Sequence, residues 1–214
     1  MAVTNRRLFP ESLQNIFFRL LAPLVNTLAK RGIHPTCLTL AGFVITCMAA
    51  LALFKGSLRT GGLLILLGGL CDIIDGNLAR SSGKASRFGA LLDSVIDRYS
   101  EFAMFLGIAA YFIILKNYFI LVGTFIALCG SIMVSYTRAR AESLGFESKA
   151  GITQRAERIV FLGSGALIHP MVFKLSIWLV AILANVTALQ RLHRSYQLNK
   201  TKNGQEQIIT KTRD

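Results

Sequence analysis

The sequence predicts an all-α integral membrane protein, with six transmembrane helices preceded by an interfacial amphipathic helix and a functional site at the cytoplasmic end of the bundle. Three observations predict it. Of 214 residues, 53% are hydrophobic and only 16% are charged, outside the usual balance of a soluble domain. The apolar residues gather into runs close to the roughly 20 that cross a bilayer as a helix. The charges are lopsided, 24 Lys and Arg against 11 Asp and Glu for a net +13, so bases must be concentrated somewhere. Six spans use nearly the whole length and exclude a separate soluble catalytic domain.

The elements follow in order. Over 12–30, Leu13, Ile16, Phe17, Leu20, Leu21, Leu24, Val25 and Leu28 recur at helical spacing while Gln14, Asn15, Arg19 and Asn26 fill the other face, the pattern of a helix lying in the membrane interface. Glu11, Arg19 and Pro23 interrupt this stretch, which argues against a cleaved signal segment. Apolar runs at 37–54, 61–80, 89–115 and 118–137 give four spans. The fifth is 159–168 with its approaches, as a helix starting near 153, and the sixth is 171–189. The tail is polar and without periodicity, which predicts disorder. The divisions are therefore 1–35 for the cytoplasmic N-terminal part, 36–194 for the membrane domain and 195–214 for the tail.

The bases set the orientation. The N-terminal part, the second and fourth loops and the C-terminal end carry 19 of them, while Lys55, Arg59, Lys116 and Lys174 are the 4 in the other loops and Arg98 lies inside a span. By the positive-inside rule both termini face the cytoplasm, at the cell (inner, cytoplasmic) membrane. An even number of spans follows. Cys37, Cys47, Cys71 and Cys129 are scattered singly in apolar runs, and His34, His169 and His193 are isolated at span ends, so neither type suggests a metal site.

The acids do. Asp72 and Asp75 close the second span, and Asp93 and Asp97 open the third. Carboxylates inside a membrane are expensive, roughly 2.5–3.5 kcal/mol each at helix centre on insertion scales, so a cluster must be offset by cations, protons or a wet cavity. The spacings of three and four put each pair on one helix face, and the short polar link Ser81 to Phe88 predicts that the two helices are antiparallel neighbours. Four converging hard oxygen donors suit Mg²⁺ or Mn²⁺. Glu101 continues the stripe one turn past Asp97, either supporting the site or pairing with a base such as Arg98. Gly76, Ala79 and Gly89 leave room beside the acids, and Arg80 supplies a fixed fork for a phosphate. Together they suggest a phosphate-bearing ligand.

Asp72, Asp75, Gly76, Ala79, Arg80, Gly89, Asp93 and Asp97 fit the pattern D-x2-D-G-x2-A-R-x8-G-x3-D-x3-D at all eight fixed positions over 26 residues. The chain thereby resembles the CDP-alcohol phosphatidyltransferase family. His34-Pro35-Thr36 at the head of the first span belongs to the resemblance, with Thr36 where the family often has Asn. The resemblance implies transfer of the phosphatidyl group of CDP-diacylglycerol to a small alcohol, release of CMP, and a homodimer. It implies that Asp72, Asp75, Asp93 and Asp97 bind metal, that Asp97 takes the acceptor's proton, and that Gly76, Ala79 and Arg80, with Gly89 beside them, meet the CDP group.

For the acceptor, Arg138 and Arg140 end the fourth span, Arg155 and Arg158 open the fifth, and Arg191 and Arg194 close the sixth. Orientation and anionic lipid account for some of these. The blocks around them are similar to the phosphatidylinositol phosphate synthase branch, which implies an alcohol phosphate as acceptor, inositol phosphate first, held by Arg138, Arg155 and Arg191. Glycerol 3-phosphate, the acceptor of a phosphatidylglycerophosphate synthase, would use a similar pocket. An uncharged acceptor would leave several guanidinium groups unpaired. Nucleic acid is not expected as a partner. A divalent-cation transporter is a different class to weigh, but it favours acids spread through the membrane depth rather than gathered at one face.

Overall fold

A computed structural model describes residues 11–146 and 151–211. The described residues form seven helices, α1 (Glu11–Lys30), α2 (Pro35–Phe54), α3 (Leu58–Ser81), α4 (Arg87–Ile114), α5 (Tyr118–Ser143), α6 (Arg155–Ile168) and α7 (Pro170–Lys211). Local chemistry sets their ends. His34, not Thr36, caps α2: its Nδ1 accepts from the Thr36 N–H at 3.3 Å, and Pro35 takes the first turn, where a missing N–H is harmless. Ser86 Oγ caps α4 by accepting from the Gly89 N–H at 2.9 Å, and Asn117 Oδ1 caps α5 by accepting from Ile120 at 3.2 Å. Gly32 and Gly56, with φ of 72° and 79°, close α1 and α2 in the left-handed conformation that a Cβ disfavours.

α2 packs against α3 and α4, α3 against α6, α6 against α7, α7 against α5, and α5 against α4, which closes a ring. The sequence reading makes α3 and α4 direct neighbours; in the structure α2 stands between them. Small residues permit that close layering. A Cβ built on Gly42 of α2 would lie 3.0 Å from the Cys71 Cβ and 3.2 Å from the Gly68 carbonyl oxygen of α3. Below the polar end, Phe105, Ile108 and Phe112 of α4, Leu162 of α6 and Phe173 and Ile177 of α7 fill the core, where Phe112 and Phe173 stack at 5.8 Å between ring centroids. The outside is apolar as well, with Leu106, Phe119 and Leu175 among its exposed residues, a surface that suits hydrocarbon and not water.

Four helices, α2, α3, α5 and α7, are long and apolar enough to cross a membrane. α4 has the length, 28 residues, but carries Asp93, Asp97, Arg98 and Glu101. α6 differs from expectation: it begins at Arg155 behind Gln154 and has 14 residues, about 21 Å at 1.5 Å per residue and short of a ~30 Å hydrocarbon core. Residues 195–211 also differ, since α7 continues as helix to Lys211 where disorder was expected from 195. No proline interrupts that stretch and its only glycine is Gly204, so little in it stops a helix already nucleated by packing. Arg6, Arg7, Lys149 and Arg213 of the charge count fall outside the described residues.

α1 is tied down on one side. Leu21, Val25 and Leu28 pack with Ile74 and Leu78 of α3, while Ile16, Phe18, Leu20 and Leu24 remain exposed. The α3–α6 seam offers a direct test of the packing. A Cβ on Gly62 would come to 2.7 Å from the Gly163 carbonyl oxygen, so Gly62→Ala forces backbones apart. Thermal unfolding in detergent should show a loss of about 1–3 kcal/mol, the usual penalty of overpacking.

A carboxylate cluster at one end of the ring

Asp72 and Asp75 sit near the C-terminal end of α3 and Asp93 near the start of α4. One oxygen from each of the three lies within 4.8 Å of the other two. Asp75 Oδ2 and Asp93 Oδ1 are buried without a hydrogen-bond partner. Unpaired buried carboxylate oxygens facing one another are untenable unless a cation or protons join them, so the donor set fits a hard divalent ion. Asp93→Asn removes a charge and one such oxygen. Manganese binding followed by electron paramagnetic resonance should weaken at least about tenfold in that variant.

Asp97 is not gathered with those three. Its Oδ1 accepts from Arg155 Nη1, the same nitrogen that donates to Asp72 Oδ1 at 2.6 Å. Arg98 approaches Asp97 from its own helix at 3.5 Å. Arg155 therefore stands inside the acidic cluster and bridges α3 to α4, where the sequence reading groups it with Arg138 and Arg191. Those two lie elsewhere. Arg138 is exposed and its Nε donates to Glu142 Oε1 at 2.8 Å, a helix-surface pair of one turn. Arg191 is buried and its Nη1 donates to the Val134 carbonyl at 2.6 Å, tying α7 to α5 one turn before Arg138.

Around the donor motif, Arg80 Nη2 donates to Asn77 Oδ1 at 3.1 Å, and its guanidinium passes within 3.7 Å of where a Gly76 Cβ would stand. A Cβ at that distance would make only ordinary contact, so the Arg80 fork does not by itself require a glycine at 76. Ala79 is half-buried beside it. Gly89 has a local reason of its own, because a Cβ there would meet the capping Ser86 Oγ at 2.9 Å.

The sequence reading misses one contact. Arg158 Nη2 donates to Glu101 Oε1 at 2.5 Å, with both side chains almost wholly buried, while Arg98 keeps only a 3.9 Å approach to Glu101. The signal was present. Asp97 and Glu101 are one turn apart on α4, Arg155 and Arg158 one turn apart on α6, and opposite charges at matching spacing on two apolar helices form a ladder when the helices face each other.

Among the described residues, a ring of helices, four of them long and apolar enough to cross a membrane, carries at one end an acidic triad whose chemistry is that of a metal-type site. The comparisons with known proteins name the family. Residues 32–189 match the CDP-alcohol phosphatidyltransferase family, and the chain belongs to it, as a transferase of phospholipid biosynthesis. It is 39% identical over 171 residues to the archaetidylinositol phosphate synthase of Pyrococcus horikoshii, covering 79% of this chain and 87% of that one. The enzyme of that name from Methanothermobacter thermautotrophicus is 37% identical over 187 residues, with 85% and 93% covered. A crystal structure of the phosphatidylinositol phosphate synthase of Mycobacterium tuberculosis with CDP-DAG bound superposes with a TM-score of 0.74 at 31% identity, covering 83% of this chain and 94% of that one. The same enzyme in complex with manganese and citrate gives 0.73 at 32% identity, with 81% and 88% covered.

Proposed function

We propose that the chain transfers the phosphatidyl group of CDP-diacylglycerol, or of its archaeal ether-lipid counterpart, to inositol phosphate. The observation that carries this reading is the triad Asp72, Asp75 and Asp93, with Asp75 buried and the other two half-buried, beside Asp97 and the Arg155 that contacts it from α6. The names of the archaeal and mycobacterial relatives support the acceptor.

Asp72, Asp75 and Asp93, with Asp97 beside them, would hold a divalent cation, Mg²⁺ or Mn²⁺, which would supply charge neutralisation for the donor's pyrophosphate. Arg80 forks onto the same pyrophosphate, with Gly76, Ala79 and Gly89 leaving space for the CDP group. Asp97 removes the proton from the acceptor hydroxyl. The hydroxyl oxygen then bonds to the β-phosphorus as that phosphorus's bond to the bridging oxygen breaks, and CMP leaves with the electron pair. Arg155, in contact with Asp97, sets the acceptor's phosphate next to the base; Arg138 and Arg191, which lie at the α5–α7 seam on other partners, are the further guanidinium groups that the phosphate would recruit.

The wider arrangement is α2 to α7 as six spans, with α4 carried across by its apolar half and α6 inserted from the site end. α1 lies in the cytoplasmic interface, the termini and site face the cytoplasm, and two copies form a homodimer. The positive-inside distribution of the bases supports the orientation.

The test is purified protein with Mg²⁺ or Mn²⁺, a CDP-activated lipid and a panel of labelled acceptors. CMP release is expected with inositol phosphate. Release only with glycerol 3-phosphate would move the acceptor, and no release with any alcohol would sink the reading. Arg155→Ala should raise the KM of the acceptor at least about tenfold more than that of the lipid, the mark of lost acceptor binding; equal changes in both would remove Arg155 from the acceptor pocket.

A further inference from the structure

α4 and α6 carry the two side chains that meet at the reaction centre, Asp97 and Arg155, yet they have no extended packing against each other. α4 leans on α2 and α5, and α6 leans on α3 and α7. What joins them crosses the ring interior as two charged rungs one helical turn apart, Asp97 with Arg155 and Glu101 with Arg158. Arg98 approaches both acids of α4. The space beside the rungs is a cavity of about 20 Å³, with Ser100 and Glu101 on one wall, Arg155 and Ile159 on another, and Thr39 and Thr46 of α2 behind. Apolar residues of both helices, Met104 and Phe105 of α4 and Ile159 and Leu162 of α6, belong to the core just below, but at the level of the rungs the polar atoms of the two ion pairs are what meet across the cavity.

The rung of Glu101 and Arg158, one turn in from that of Asp97 and Arg155, has the chemistry of a spacer. Glu101 is 2% exposed and Arg158 1%, so neither is a surface charge. A buried ion pair is weak support for stability, because apolar groups of like volume often do as well. Directionality is what apolar groups lack. A guanidinium bonded to a carboxylate across an unpacked gap fixes distance and rotation together. Each residue of the pair sits one turn deeper than a member of the rung of Asp97 and Arg155, so a slip of α6 against α4 would separate Arg155 from Asp97.

We infer that Glu101 and Arg158 are positioning residues, which hold α6 to α4 in the one register where Arg155 opposes Asp97. Glu101 reaches the wall of the cavity beside the rungs and Arg158 does not; the part assigned to both is to hold the helices, not to bind a substrate. The inference rests on the roles given above to Asp97 and Arg155, and its test is separable from theirs.

The double variant Glu101→Met with Arg158→Met removes both charges and keeps apolar volume. Two measurements read it. Spin labels at Leu106→Cys on α4 and Ile168→Cys on α6, both lipid-exposed positions, report the α4–α6 distance by pulsed dipolar spectroscopy, with the four native cysteines replaced by alanine. Steady-state kinetics gives kcat and KM. Positioning requires a folded protein whose distance distribution broadens or shifts, with kcat down roughly 10²-fold, the size of loss a ~1 Å misplacement brings, and KM for the CDP-activated lipid within about twofold. A folded double variant with the parent's distance distribution and kcat overturns the inference and leaves the pair a packing element. Should the double variant not fold, Glu101→Gln decides the matter: a changed distance with lowered kcat upholds positioning, and the parent's values for either overturn it. The distances are taken without substrate. They therefore judge the clamp even if the parent protein releases no CMP with any acceptor, a result that would end the proposed reaction instead.

Discussion

Asp97→Asn should abolish turnover while leaving binding of the CDP-activated lipid intact. The amide keeps the size of the carboxylate but cannot take a proton from an alcohol, and a positioned general base is worth about 10²–10⁴ in rate. The structure sharpens this expectation. Asp97 shares Arg155 with Asp72 and lies beside the triad of Asp72, Asp75 and Asp93 without being one of its three members, so the variant retains all three members of that triad and the whole Asp72–Arg80 segment. Lipid binding measured by calorimetry, together with manganese binding measured by resonance, should then stay within about threefold of the parent while kcat falls by at least about 10²-fold. Turnover near the parent value would take Asp97 out of the proton transfer. A loss of manganese binding equal to that of Asp93→Asn would instead make Asp97 a fourth ligand.

Arg158→Met alone should be the most destabilising single change in the membrane domain. It strips the Glu101 carboxylate, which is 2% exposed, of its one hydrogen bond and leaves it with only the 3.9 Å approach of Arg98 to Oε2. Removing one member of a buried pair typically destabilises by about 3–5 kcal/mol, because the remaining charge has no water to return to. In detergent the melting temperature should drop by many degrees. Adding Glu101→Met should recover most of the loss, since the double change buries no charge. A single variant as stable as the parent would mean that water reaches Glu101 and that the pair is not sealed.

The acidic site was legible in the sequence because its constraint is local. Asp72 to Arg80 lie on consecutive turns of α3, Gly89 to Asp97 on consecutive turns of α4, and helical periodicity alone brings each set to one face. The partners of Asp97 and Glu101 were not legible, because they lie 58 and 57 residues away on a helix whose direction and depth depend on packing. The adjacency of α3 and α4 was inferred from the shortness of residues 82–86, but a short link constrains only the helix ends. Gly42 and Gly68 let α2 slide between the helix bodies. The length of α6 was overestimated for a similar reason. A helix starting near 153 was expected, whereas Thr153 is held by α7, its Oγ1 donating to the Leu183 carbonyl at 3.2 Å and its N–H to Thr187 Oγ1, and the helix begins at Arg155.

The long separation along the chain between the acids of α4 and the arginines of α6 also bears on how the protein enters the membrane. Glu101 leaves the ribosome 57 residues before Arg158, an interval of roughly 3–11 s at ordinary rates of synthesis. Through that interval Arg98 is the counter-charge that their own helix brings within reach of Asp97 and Glu101, and each acid opposes insertion. The apolar stretch Met104 to Ile114 must therefore hold α4 at the bilayer until α6 arrives. Completion of the reaction centre and secure insertion of the helix that carries its base are, on this account, the same late event in biogenesis.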